Sequence, residues 1–249
     1  MRHDARLIAR KFGWHQGRSP VASAPGFLGA ALALCACLAA RPASADTIVT
    51  FTTNLGTFDV QLYDSQVSTT VANFLSYVTA RSYTNSIIQR STTYNPTTIQ
   101  IVQGGGFTLD GYQLTAIPTA APIPLEAGLS NLKGTIAMAR TGDPNSATSG
   151  WFLNVTDNPA LDDGYTVFGE VIGDGISVIE AIGALGVYNV SGTLGPTFTE
   201  LPLVADVLEP QNLVMVNSIV AVPEPGTLAL ALTAMLLASG FRKYWQTEA

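Results

Sequence analysis

The chain has 249 residues and a net charge of −6, and its basic side chains cluster at the two ends. Residues 46–222 keep only Arg81, Arg90, Lys133 and Arg140 as basic groups against fifteen carboxylates. That balance excludes nucleic-acid binding, which needs a basic patch to neutralise phosphate, while the stretch is long enough for one domain with a substantial core. The first 25 residues carry Arg2, Arg6, Arg10, Lys11 and Arg18 against Asp4, and the apolar run 27–40 ends near Ala43-Ser44-Ala45. A basic stretch, an apolar stretch and a small-residue A-x-A site, in that order, predict a secretory signal over 1–45 and a mature chain from Asp46. Cys35 and Cys37 lie inside the apolar run, and His3 and His15 lie upstream of Asp46. The exported domain therefore keeps no thiol for a disulfide and no cysteine or histidine metal site.

Beyond Asp46 the pattern opens as a hairpin. Residues 48–53 precede a turn at Asn54-Leu55-Gly56, and over 57–63 Phe58, Val60 and Leu62 alternate with Thr57, Asp59 and Gln61, so one face is buried. Over 67–81 the period becomes helical: Val71, Phe74, Leu75 and Val78 form one apolar stripe to lay across the sheet. Short strands are expected at 86–90, 99–103, 134–139, 150–154 and 166–171, followed by a second helix over 176–182. A long loop spans 186–211, and a closing strand runs over 212–220. Gly104-Gly105-Gly106 reads as a tight strand exit, because no Lys-Ser/Thr follows it and no helix opens there, as a phosphate loop would require. Many short strands with Gly and Pro turns indicate a mainly β barrel or sandwich, and the pattern alone does not choose between them.

Three motifs carry the chemistry. The run GTIAMARTGDPNSATSGWFLNVTDNPALDDGYTVFGEV over 134–171, with Val102-Gln103-Gly104-Gly105-Gly106-Phe107 upstream, resembles the core of the cyclophilin family of peptidyl-prolyl isomerases. The resemblance extends over roughly 47–220. It implies an eight-stranded antiparallel closed barrel capped by two helices, and catalysis of rotation about X-Pro bonds of exported proteins, assisting their folding, without metal or other cofactor. Arg90, ending Ile87-Ile88-Gln89-Arg90, matches the family's catalytic arginine. Gln103 matches the glutamine that hydrogen-bonds substrate backbone; Phe152, Leu161 and Tyr165 match residues lining the proline pocket; Ala139 matches the strand position whose backbone pairs with bound peptide. Arg140, next along, is expected to point to solvent.

The departures from the family pattern are equally specific. Gln89 stands for the family histidine, and the segment from Arg90 to Gln103 is longer than in compact members. Gln100 takes the place of a pocket phenylalanine, with Ile99 as a substitute if the register shifts. Gly150 replaces a glutamine and Ala160 an aromatic. A shallower, more polar pocket is expected, which leaves a second reading: a catalytically weak or inactive peptide-binding module at the cell surface or in extracellular matrix. A hydrolase is disfavoured, since no histidine and no serine nucleophile elbow remain in the domain. Asp162 and Asp163 read as solvated turn residues.

At the far end, Val222-Pro223-Glu224-Pro225-Gly226 precedes an uncharged apolar run over 227–241 and then Arg242-Lys243. The run is shorter than the roughly 20 residues that span a bilayer comfortably, but flanking cations can snorkel. Basic residues after the span place that end in the cytoplasm and the domain outside. Together these residues resemble the PEP-CTERM sorting signal of Gram-negative bacteria, recognised by an exosortase; an ordinary tail anchor is the other reading. The expected domains are a secretory signal at 1–45, a cyclophilin-like domain at 46–222 and a sorting or transmembrane anchor segment at 223–249. The expected location is the periplasm, outer surface or extracellular space, with transient or permanent anchorage in the inner membrane.

Overall fold

Strand β1 (Ile48–Thr53) and strand β2 (Gly56–Leu62) form the expected hairpin, with Thr53 opposite Gly56 and Phe51 opposite Phe58. Their alternation buries Val49, Phe51, Phe58, Val60 and Leu62. The computed structural model describes residues 46–93 and 98–223; the signal segment 1–45, residues 94–97 and the tail from 224 lie outside the described residues.

Helix α1 (Ser68–Thr79) lays Val71, Phe74, Tyr77 and Val78 on the sheet, and Phe74 packs against Phe51, Tyr83 and Phe168. Leu75 is only partly buried, and Tyr77 takes the place the helical stripe gave it. No side chain at its N-cap residue, Val67, caps the helix. Glu126, from a distant loop, does so instead: it accepts from the Thr70 backbone N–H at 2.8 Å and the Thr70 hydroxyl at 2.7 Å.

The remaining strands are β3 (Ser86–Ile87), β4 (Arg90–Ser91), β5 (Ile101–Gly104), β6 (Phe107–Asp110), β7 (Gln113–Ala116), β8 (Thr135–Met138), β9 (Trp151–Asn154), β10 (Val167–Ile172), β11 (Gly186–Tyr188), β12 (Leu201–Leu203) and β13 (Met215–Ala221). Eleven of the thirteen strands in the described residues form one curled antiparallel sheet in the order β4-β5-β9-β8-β10-β2-β1-β13-β3-β6-β7. This corrects the eight-stranded closed barrel expected above. The expected strand over 86–90 divides: β3 pairs with β13, β4 pairs with β5, and Ile88-Gln89 between them belong to neither. The extra strands β6 and β7 make a hairpin around Gly111-Tyr112, where Gly111 adopts φ +59° at the first turn position, which favours glycine.

Helix α2 (Ile176–Gly183) is the second expected helix. The long loop, by contrast, contains structure of its own: β11 pairs with β12, and a single turn, α3 (Ser191–Leu194), lies between them. Phe198, Leu201, Leu203 and Leu213 pack on Ile87 as a separate apolar cluster that holds this segment down. The main core, around Phe51, Phe74, Trp151 and Phe168, fills the inside of the curl. A third cluster, Ile101, Ala137, Phe152, Leu161 and Val167, lies on the other face of β5, β9, β8 and β10. Because side chains alternate along a strand, these four strands are apolar on both faces, and the second face is the floor of the site.

Candidate active site

Strand register lines up the first site residues. Arg90 on β4 is opposite Gln103 on β5, Gln103 is opposite Phe152 on β9, and Phe152 is opposite Ala137 on β8. Directly paired residues share a face, so the guanidinium, the amide and the phenyl ring form one row across neighbouring strands. Two residues further along β5, Ile101 falls on the same face. The connection after β9 folds back over this row and adds Leu161 and Tyr165, the latter meeting Phe152 edge to face at 5.5 Å. The result is a cleft of about 330 Å³ whose lining includes every site residue expected from the sequence: Arg90, Gln103, Ala139, Phe152, Leu161 and Tyr165.

Arg90 is half-exposed, and its Nε donates to Glu200 Oε2 at 2.7 Å. The lengthened segment after it does not displace it. The Thr92 backbone N–H donates to the Ile101 carbonyl, and the Thr92 hydroxyl accepts from the Ile101 N–H while donating to the Ile99 carbonyl. The Thr92 contacts with Ile101 therefore continue the β4–β5 ladder past Arg90, and residues 94–97 of the lengthened segment lie outside the described residues. Gln89 turns away from the cleft and is buried below the glycine run, with its amide nitrogen against Gly106.

Arg140 does not simply face solvent. Its Nε donates to the Gly164 carbonyl at 2.6 Å, its Nη1 donates to the Thr141 carbonyl at 2.8 Å, and the guanidinium lies 4.5 Å from the centre of the Tyr165 ring. It lines the same cleft as Arg90. The reason is the left-handed turn at Asp163 (φ +61°), which brings Gly164 and Tyr165 back beneath the end of β8. Asp162 is likewise more than a solvated turn residue. It accepts the Asn131 backbone N–H at 2.7 Å, and this bond above all holds its carboxyl below the ordinary range.

Of the further lining residues, Ile99 was expected only as a substitute for Gln100, and Ile101 was not singled out from the sequence. Ile99 and Ile101, rather than Gln100, supply the wall beside Gln103, and the two-residue alternation along β5 was the signal for Ile101. Gln100 is held by its backbone: its N–H donates to Asn158 Oδ1 at 2.9 Å and its carbonyl accepts from Asn158 Nδ2 at 3.0 Å. Glu200 carried no local signal at all, since 110 residues separate it from its partner. Ala160 is exposed on the turn before Leu161 and adds no wall, and Gly150, where the family pattern has a glutamine, sits close against Ala139, whose Cβ would lie 3.3 Å from a Cβ added there. Among the described residues, no group of three or more His, Cys, Asp or Glu is placed to hold a metal ion.

The sequence matches, over residues 48–198, the family described as cyclophilin type peptidyl-prolyl cis-trans isomerase/CLD. The peptidyl-prolyl cis-trans isomerase of Acinetobacter baylyi is 42% identical over 159 residues, 61% of this chain and 80% of its own length. Peptidyl-prolyl cis-trans isomerase B of Escherichia coli is 41% identical over 145 residues, 54% of this chain and 83% of its own. The solved cyclophilin type isomerase of Cryptosporidium parvum is 22% identical and shares the fold, with a TM-score of 0.52 over 72% of this chain and 99% of that one. With its family match spanning the cleft from Arg90 to Tyr165, the chain belongs to the cyclophilin-type peptidyl-prolyl cis-trans isomerases.

Proposed function

We propose that this isomerase turns X-Pro bonds in the cleft beside β4, with Arg90 as the electrophile. The X-Pro bond resists rotation by about 20 kcal/mol because the amide nitrogen shares its lone pair with the carbonyl. Rotation pyramidalises that nitrogen, so a donor aimed at it binds the twisted amide better than either planar isomer. Arg90 carries such donors on the rim of an apolar floor. Phe152, Leu161 and Ile101 take the pyrrolidine ring, while the Gln103 amide and the Ala139 backbone hold the flanking peptide. No covalent step and no proton transfer are needed.

The observation that carries this reading is the single row Arg90, Gln103, Phe152 across β4, β5 and β9, with the guanidinium at the open end. The absent side chain at Gly150 and the missing wall at Ala160 leave the pocket shallower than the family pattern, which lowers turnover without removing the electrophile. Protease-free isomerisation kinetics on a short proline peptide test it: Arg90→Ala should lower kcat/KM by about 10²–10³ with the fold intact. A parent that binds the peptide but does not isomerise it would overturn the assignment in favour of a binding module.

We propose further that the domain works outside the cytoplasm on proline-containing segments of exported proteins. The support is in the sequence: the signal-like segment 1–45 and the Pro223-Glu224-Pro225 tail with its apolar run and basic end, a sorting signal for an exosortase-type enzyme. In this reading the chain is held in the inner membrane through residues 227–241 until it is processed.

A further inference from the structure

We infer that Glu200 is a positioning residue for Arg90: its carboxylate fixes the guanidinium at the edge of the cleft so that the remaining N–H donors face the substrate. The inference rests on Arg90 being the electrophile. The contact uses Arg90 Nε alone, at 2.7 Å to Glu200 Oε2. An arginine held through Nε keeps both Nη groups, with four N–H donors, outside the ion pair. Among the described residues neither Nη makes a hydrogen bond, and Arg90 lines the cleft. A carboxylate placed to cancel the charge would instead meet the guanidinium in the two-bond, fork-to-fork geometry.

Glu200 is itself held firmly. The Ser91 backbone N–H donates to the Glu200 carbonyl at 2.8 Å, which docks this residue beside β4. Its neighbours Phe198 and Leu201 are buried, at 3% and 0% exposure, in the cluster that also contains Ile87 just before β4. The small β11–β12 sheet thus ends where a carboxylate is delivered to Arg90. A long side chain with large rotamer freedom gains most from such a tether, because a donor already in place at the transition state loses no freedom there.

The test is kinetics of the purified protein on one proline peptide, with kcat and KM separated. Glu200→Ala should lower kcat about tenfold or more with little change in KM, the penalty of a loosened electrophile. Glu200→Gln keeps an acceptor oxygen and should recover most of the loss. In an Arg90→Ala background, Glu200→Ala should change nothing further. A rise in kcat for Glu200→Ala would mean the carboxylate restrains Arg90, and an equal loss in the Arg90→Ala background would mean a purely structural role; either overturns the inference. An inactive Arg90→Ala beside a fully active Glu200→Ala also overturns it, while leaving Arg90 as the electrophile. Full activity of Arg90→Ala would remove the electrophile itself. If Glu200→Ala does not fold, nitrogen-15 relaxation of the Arg90 Nε–H in the parent decides: the signal must be as ordered as the backbone, and free averaging overturns the proposal.

Discussion

Two arginines at one cleft divide the work by what holds them. Arg90 hangs from a carboxylate and keeps its outer donors available, whereas Arg140 spends its donors on the Gly164 and Thr141 carbonyls and lies on Tyr165. A guanidinium over an aromatic ring is worth about 0.5–1 kcal/mol at a partly exposed site. Arg140→Ala should therefore raise KM by about two- to fivefold, since Tyr165 loses its support, and leave kcat near the parental value. Steady-state kinetics beside Lys133→Ala check this; Lys133 pairs with Glu180 in an exposed contact and should change neither constant. The glycine run has a packing reason as well. A Cβ on Gly105, at φ +78°, would lie 2.5 Å from the Ser149 carbonyl and 2.8 Å from the Trp151 ring, so these glycines are the seat of a buried indole.

Contacts between distant elements decide how stable the walls of the site are. Asn158, 4% exposed, answers both backbone groups of Gln100 and also donates to Asn154 Oδ1 and the Thr156 carbonyl. It joins the start of β5 to the turn that carries Leu161. Each such bond contributes about 1 kcal/mol net and more when a partner is left buried and unpaired, so Asn158→Ala should cost about 2–3 kcal/mol in urea unfolding. The cap of α1 gives a pH signature. Burial pushes the Glu126 carboxyl up, but the hydrogen bonds from Thr70 and Thr69 outweigh that and hold it below its ordinary 4.5. A folded-state value below the unfolded one means the stabilisation is complete above 4.5 and fades as pH falls through the lowered value. Thermal unfolding of Glu126→Gln should show a Tm below the parent at neutral pH, and the gap should close on the acid side of 4.5.

For the molecule as a whole, the eleven-stranded sheet faces its main core inward and its third apolar cluster outward, and the cleft exists because β5, β9 and β8 are buried on both sides. Processing at the two ends is expected in the native host. Mass spectrometry of the extracellular protein should find a chain beginning at Asp46 and lacking residues 227–241. Recovery of a peptide containing Cys35 would show that the signal stays, and recovery of 227–241 that the tail does.

What was readable from the residues alone was whatever local spacing controls. Alternation in 57–63 and helical period in 67–81 were enough for the first hairpin and α1, and the run over 134–171, read with Val102–Phe107 and Ile87–Arg90, was enough for the family and for six residues of the cleft. The partners of those residues were not readable in the same way. Glu200 beside Arg90, Glu126 at the N-terminus of α1 and Asn158 on Gln100 are separated by 110, 56 and 58 positions. A carboxylate or amide in a loop carries no periodic signal of what it will meet. The number of strands was hidden for a related reason: β3, β4, β11 and β12 are two or three residues long, too short to show a period, and they exist through the neighbours they pair with. Local pattern specifies which face of an element is apolar, whereas only the folded chain decides which distant polar group answers it, because that partner is selected by burial and hydrogen-bond geometry.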